Sequence, residues 1–147
     1  MKKDISKLLL FDVNVLVALA WPTHQFHAAA RRRLDGSAER WATCALTQLS
    51  FIRLSSTPAV VGAEKSPAEA ARLLAMMVSD SLHVYLDVMP APVSGDWVDT
   101  FDRLLKGKQV TDAYLLFLAR KNDATLLTFD TRLPHSINGA RTEVLTL

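Results

Sequence analysis

The sequence has a single cysteine, Cys44, which excludes an internal disulfide and a multi-cysteine zinc site. Cys44 is expected to act as a small buried apolar residue. Glycine and proline are sparse, at five and six residues, and no segment is low in complexity, so long disordered stretches are not expected. No internal repeat is visible. No apolar run reaches the roughly 18 residues that would suggest a membrane span. Net charge is also nearly absent: +2 at pH 7, which permits nucleic-acid binding without arguing for it. Lys2, Lys3 and the apolar stretch ending in Ala18-Leu19-Ala20 mimic an export signal, but Asp4, Asp12 and Asn14 interrupt it, so the chain reads as cytoplasmic.

Half of the 147 residues are hydrophobic and 22% are charged, as in a globular chain of one domain, 1–147. Strands are expected over 7–11, 40–43, 82–86, 125–129 and 142–145. Lys7 to Phe11 is nearly continuous in apolar residues, as in strands buried on both faces. Helices are expected over 13–20, 24–34, 46–54, 66–78 and 95–106, and from a cap at Thr111 to about Lys121. Ser66-Pro67-Ala68-Glu69 carries the start signals of the fourth of these, a capping serine, a proline at the first helical position and a glutamate completing the box. Alternating strands and helices predict an α/β chain: a three-layer α/β/α sandwich around a central, mainly parallel sheet. Ligands of such sheets bind beyond the carboxyl ends of the strands, here after Phe11, Thr43 and Phe129.

Carboxylates stand at two of those three places. Asp12 follows Leu8-Leu9-Leu10-Phe11, where an acid is costly unless paired, hydrogen-bonded or bound to a cation. It reads either as a site residue or as the cap of the next helix. Asn14, two residues on, can hydrogen-bond to Asp12 or to a ligand. Asp130 repeats the arrangement after Leu126-Leu127-Thr128-Phe129, and reads equally as a turn residue. Asp112 follows Thr111 in a first helical turn, where the helix dipole alone would favour an acid. Hard divalent cations take oxygen ligands and retain waters, so two or three carboxylates suffice to hold one. Such a cation can activate water and offset charge on a phosphodiester.

Several segments, in order, resemble PIN-domain proteins. Leu8-Leu-Leu-Phe-Asp-Val-Asn-Val-Leu-Val-Ala-Leu19 resembles their opening strand and aspartate. Gln109-Val-Thr-Asp-Ala-Tyr-Leu-Leu116 resembles their third acidic motif, and Leu127-Thr-Phe-Asp130 their fourth. Trp41-Ala-Thr-Cys-Ala-Leu-Thr-Gln48, followed by Phe51 and Arg53, is similar to the VapC-type branch, whose members are toxin ribonucleases of toxin–antitoxin pairs. The resemblance spans nearly the whole chain. It implies a Mg²⁺-dependent endoribonuclease, with Mn²⁺ as an alternative, cutting single-stranded or structured RNA such as transfer or ribosomal RNA. It implies that Asp12 and Asp112 hold the metal with Asp130 supporting, and that the chain forms a homodimer and meets a VapB-like antitoxin. The sequence departs from the pattern in one place. Many PIN domains have a glutamate in the helix after the second strand, where this chain reads Leu46-Thr-Gln-Leu-Ser-Phe-Ile-Arg53. Gln48, or less favourably Ser50, takes that position and supplies no charge, which favours one metal over two. Gln48, Ser50, Arg53, Thr111 and Asn14 are candidate supporting residues.

Other readings compete. A phosphatase of the HAD type would also open on an apolar strand and aspartate, but its general acid two residues later is Asn14 here, which cannot carry a proton in that role. A receiver-like module would need an acid pair early in the chain, and Asp4 is the only acid before Asp12. An RNA-binding module with a degenerate acidic site is the main alternative. Arg31-Arg32-Arg33 is expected to be a solvated helix face rather than a phosphate contact. Arg53 and Arg132 can meet phosphate or pair with an acid. His24 and His27 lack a third ligand nearby in sequence. Asp96, Asp99 and Asp102 read as a polar helix face. Helix 113–119 is apolar nearly all round and should be buried. Trp21, Trp41 and Trp97 are expected to pack rather than to stack bases.

Overall fold

A computed structural model describes residues 7–61, 65–95, 107–132 and 139–146. Its strands are β1 (Leu8–Phe11), β2 (Arg40–Cys44), β3 (His83–Leu86), β4 (Ala124–Thr128) and β5 (Arg141–Val144). They form one sheet in the order β3-β2-β1-β4-β5, and every pairing is parallel. The helices are α1 (Val13–Ala20), α2 (His27–Leu34), α3 (Ala45–Ser55), α4 (Pro58–Val61), α5 (Pro67–Met77) and α6 (Val110–Lys121). The expected sandwich is therefore observed. The helix expected over 95–106, with Trp97, Asp96, Asp99 and Asp102, lies outside the described residues except for Gly95. Among the described residues no helix is long and apolar enough to cross a membrane.

β1 is the central strand and is buried along its whole length, which explains its unbroken apolar run. Alternate side chains serve opposite layers. Leu8 and Leu10 pack with Leu126 against α6, while Leu9 and Phe11 pack with Leu127 against Val15, Leu16 and Phe51 of α1 and α3. Residues 113–119 of α6 are all buried, as expected of a helix apolar on every side. Each large apolar side chain buried in this way contributes roughly 1.5–3 kcal/mol. Buried polar groups are largely satisfied: Trp21 donates to Ser55 at 2.8 Å, and Thr47 donates to the Cys44 carbonyl at 3.1 Å, while among the described residues Ser94 Oγ lacks a partner. Trp41 stacks on Phe11 and donates to Asp80, so Trp21 and Trp41 pack as expected.

Two helix starts differ from expectation. α2 begins at His27, not His24, because the His24 imidazole accepts the Phe26 backbone N–H and the segment closes into successive turns. α6 begins at Val110, so Thr111 is not its cap. A 3₁₀ turn at Gly107–Gln109 leads directly into the helix and moves its start upstream.

The three consecutive arginines do not act alike. Arg31 pairs with Asp35 along its own helix. Arg33 instead forms forked hydrogen bonds to both Glu39 and Glu143, and Lys7 joins the same acids at 3.3 and 3.7 Å. This cluster ties α2 and the approach to β2 to the edge strand β5. Arg33 is thus a structural tether and not part of a solvated face.

Candidate active site

The parallel sheet brings the first and last acids together. β1 and β4 are neighbours with Phe11 opposite Leu127, so Asp12 and Asp130 leave the same edge of the sheet on adjacent strands. Between these acids lies Thr128, which is fully buried. Its hydroxyl donates to Asp12 Oδ2 at 2.7 Å and accepts the Asp130 backbone N–H at 3.1 Å. Asn14 does not bond to Asp12. Its amide donates weakly to the Thr128 hydroxyl and accepts the Phe129 N–H, both at 3.4 Å.

Asp12 fills the capping role open to it in sequence and turns its second oxygen to Thr128. Oδ1 caps α1 by accepting the Val13 N–H at 2.7 Å, while Oδ2 faces Thr128. The residue is only 5% exposed. Burial raises its pKa and outweighs the hydrogen bonds from Thr128 and Val13, which act the other way; the nearby Asp130 raises it further.

Asp112 stands in the first turn of α6, near enough to Asp12 and Asp130 for their charges to act on it. Burial, then the charges of Asp12 and Asp130, push its pKa up to about 6, partly offset by Arg132. The three acids distant in sequence therefore share one electrostatic field. Asp130 holds Arg132 through that residue's backbone N–H at 2.8 Å and its guanidinium at 3.4 Å.

The donor set suits a hard divalent cation. Each Asp12 oxygen spends one lone pair on a hydrogen bond and retains another. Asp112 is held where ionisation is opposed by its neighbours, a penalty that a bound cation would remove. Among the described residues no three His, Cys, Asp or Glu side chains form a ready-made cage. A Mg²⁺-like ion needs only one or two carboxylates and keeps waters for the rest.

Of the supporting candidates, Asn14 touches Thr128, and the others have no hydrogen bond to the acids among the described residues. Gln48 donates to Thr43 at 3.0 Å, and Thr43 contacts the His83 imidazole at 2.8 Å. That chain belongs to β2, β3 and α3. Ser50 is half-buried on α3, Arg53 is exposed in its last turn, and Thr111 is exposed beside Asp112. Among the described residues no hydrogen bond or ion pair joins any of these three to the acids. The Nδ1 atoms of His24 and His27 are occupied by the Phe26 N–H and the Ala18 carbonyl. Thr128 is the residue that reading the sequence missed as part of the site. Its one signal was a hydroxyl in the otherwise apolar run that leads to Asp130.

The model of the PIN domain family matches residues 9–136. Ribonuclease VapC39 of Mycobacterium tuberculosis is 37% identical over 137 residues, covering 92% of this chain and 98% of that protein. Ribonuclease VapC38 of the same species is 41% identical over 127 residues, covering 84% and 85%. Ribonuclease VapC44 is 41% identical over 122 residues, covering 82% and 84%. Among solved structures, that of VapBC2 from Rickettsia felis bound to a DNA fragment from their promoter superposes with a TM-score of 0.65. It covers 95% of this chain and 99% of that one at 14% identity, a likeness of fold.

Proposed function

The chain belongs to the PIN-domain family, in its VapC-type branch, and from that premise we propose that it is a metal-dependent endoribonuclease, the toxin of a toxin–antitoxin pair. The observation that carries this reading is the meeting of Asp12 and Asp130 through Thr128 at one sheet edge, with Asp112 close enough for their charges to act on it. The relatives named as VapC ribonucleases support the activity.

In this reading Asp12 and Asp112 hold Mg²⁺, or Mn²⁺ in its place, and Asp130 supports them. The cation, when bound, lowers the pKa of water and offsets charge that builds on the phosphodiester. The chain's own residues prepare that event. Thr128 fixes Asp12 in one rotamer through Oδ2, and the start of α1 fixes Oδ1. Asp130 is anchored through its backbone to the same hydroxyl. Hydrolysis is in line and leaves a 5′-phosphate and a 3′-hydroxyl. Because Gln48 is engaged with Thr43 and adds no charge, one cation per chain is the expected stoichiometry. Structured RNA, transfer or ribosomal, is the proposed substrate in the cytoplasm. A homodimer and a VapB-like antitoxin are the proposed assembly.

The test is incubation of total cellular RNA with the purified protein, with Mg²⁺ or with EDTA, beside Asp12→Asn. Discrete fragments that require both the cation and Asp12 are expected. Absence of cleavage with every divalent cation, together with retained RNA binding, would replace this reading by that of a non-catalytic RNA-binding module.

A further inference from the structure

Beside Asp12, and lined in part by Asn14 and Asp130, lies a concavity of about 340 Å³. One wall is the turn between α1 and α2, with His24, Gln25 and Phe26; the other follows β4, with Phe129 and Arg132. The turn is held by the His24 imidazole accepting the Phe26 N–H at 3.1 Å. This fold-back brings Phe26 over Phe129, with ring centroids 4.6 Å apart and planes 18° from parallel. His24 leans on Phe26 from 5.8 Å. Three rings thus form a short aromatic column immediately beside Asp130.

This column is unlike the core aromatics. Phe51 is fully buried and Phe11 nearly so, whereas Phe26 and Phe129 are each only partly buried at a polar opening. The two rings cover one another on one side and leave the rest of their surface at the rim of the concavity. The rim offers directional groups. Gln25 is exposed, and its amide both donates and accepts. His24 has Nδ1 committed as an acceptor, which leaves a donor at Nε2 in the neutral ring. Arg132 is anchored to Asp130 through its backbone N–H and Nε, so its terminal nitrogens remain available on a side chain that is 78% exposed.

A partly exposed aromatic pair in a mostly polar concavity, a hydrogen-bonding rim and a guanidinium are elements that recognise a nucleotide whose base is unpaired. A base inside an A-form duplex could not present its face to the wall. We propose that this concavity is a nucleobase subsite. It takes the unpaired base next to the scissile phosphate against the Phe26–Phe129 pair, with Gln25 and His24 on the base edge and Arg132 on that nucleotide's phosphate. The assignment of a scissile phosphate rests on the ribonuclease reading; the binding of an unpaired base does not.

The test measures binding by full-length protein in EDTA, where nothing is cut. Two fluorescein-labelled probes are compared by anisotropy, a twelve-nucleotide oligouridylate and the same ribose-phosphate chain with every base replaced by hydrogen. The base-containing probe should bind about tenfold more tightly. Phe26→Leu and Gln25→Ala should each shrink that ratio while leaving the affinity for the baseless probe unchanged. Gln25 is exposed, so its variant keeps the measurement interpretable if Phe26→Leu fails to fold. Equal affinities for the two probes, loss of both affinities together in the Gln25 variant, or no binding of either probe would overturn the subsite. Cleavage with Mg²⁺ is scored separately. Base-dependent binding without cleavage removes the ribonuclease reading and keeps the subsite, and cleavage without base-dependent binding does the reverse.

Discussion

The hydroxyl of Thr128 donates to the carboxylate of Asp12 at 2.7 Å, although 116 positions separate the two residues. The same oxygen accepts the backbone N–H of Asp130 at 3.1 Å, so one buried side chain positions two of the three acids. Thr128→Val keeps the shape and removes both contacts. RNA cleavage should fall roughly 10- to 100-fold, as for other groups that orient metal ligands. Thr128→Ser should restore most of it. The variant should also lose about 1–3 kcal/mol in urea unfolding, because Asp12 is left with an unpaired oxygen. Wild-type cleavage rates in Thr128→Val would show that the hydroxyl does not position the acids.

Asp112 has the opposite relation to its neighbours. Its carboxyl is pushed up to about 6 from an ordinary 3.8, first by burial and then by Asp12 and Asp130. The folded state therefore holds this proton more tightly than the unfolded state. Its contribution favours folding below about pH 3.8 and is lost as pH rises towards 6. In EDTA, Asp112→Asn should be more stable than the parent at pH 7.5 by about 1 kcal/mol, a value reduced for the group's partial exposure. The gain should vanish near pH 4. Thermal melts at both pH values check this, and a loss of stability at pH 7.5 would contradict it.

Arg33 couples two glutamates to α2, and the consequence has the opposite sign with pH. Its guanidinium holds Glu39 down to about 2 from 4.5, and holds Glu143 below its ordinary range as well. Stability from Glu39 is fully present above pH 4.5 and is lost as pH falls towards 2. Arg33→Met should cost about 2 kcal/mol at pH 7, since it leaves two partly buried carboxylates with Lys7 as their one remaining cation among the described residues. Urea titrations should show that cost shrinking at pH 3. An unchanged midpoint at pH 7 would mean that the cluster does not hold β5.

The end groups of the cleaved RNA distinguish chemistries. A 5′-phosphate and a 3′-hydroxyl are expected from hydrolysis at a metal held by carboxylates. A 2′,3′-cyclic phosphate would reject that route, because it requires attack by the RNA's own 2′-hydroxyl. Asp112→Ala should abolish cleavage while its circular dichroism stays native. Full activity in that variant would remove Asp112 from the site.

Apart from the short α4 and the 3₁₀ turn before α6, the order and type of the described elements were readable in the sequence, because amphipathic period and apolar run length are local properties of the chain. The continuous run ending at Phe11 specified a strand buried on both faces, and the apolar ring of residues 113–119 specified a buried helix. Both follow from the same need to remove apolar surface from water. The places of Asp12, Asp112 and Asp130 at a strand end, a helix start and a second strand end were equally legible. What each acid touches was not. The partnership of Asp12 with Thr128 depends on β4 lying beside β1, an adjacency that strand order in sequence does not state. Arg33 was indistinguishable from Arg31 and Arg32 until folding put Glu39 and Glu143 within its reach. Gln48, the favoured candidate for the absent glutamate's place, has its amide committed to Thr43, a contact its sequence neighbours do not state. The sequence by itself determined which segments are buried and where the acids lie along the chain, because those follow from near neighbours. Only the tertiary structure decided which side chains share a charge or a proton, because such contacts are set by distances between residues far apart in sequence.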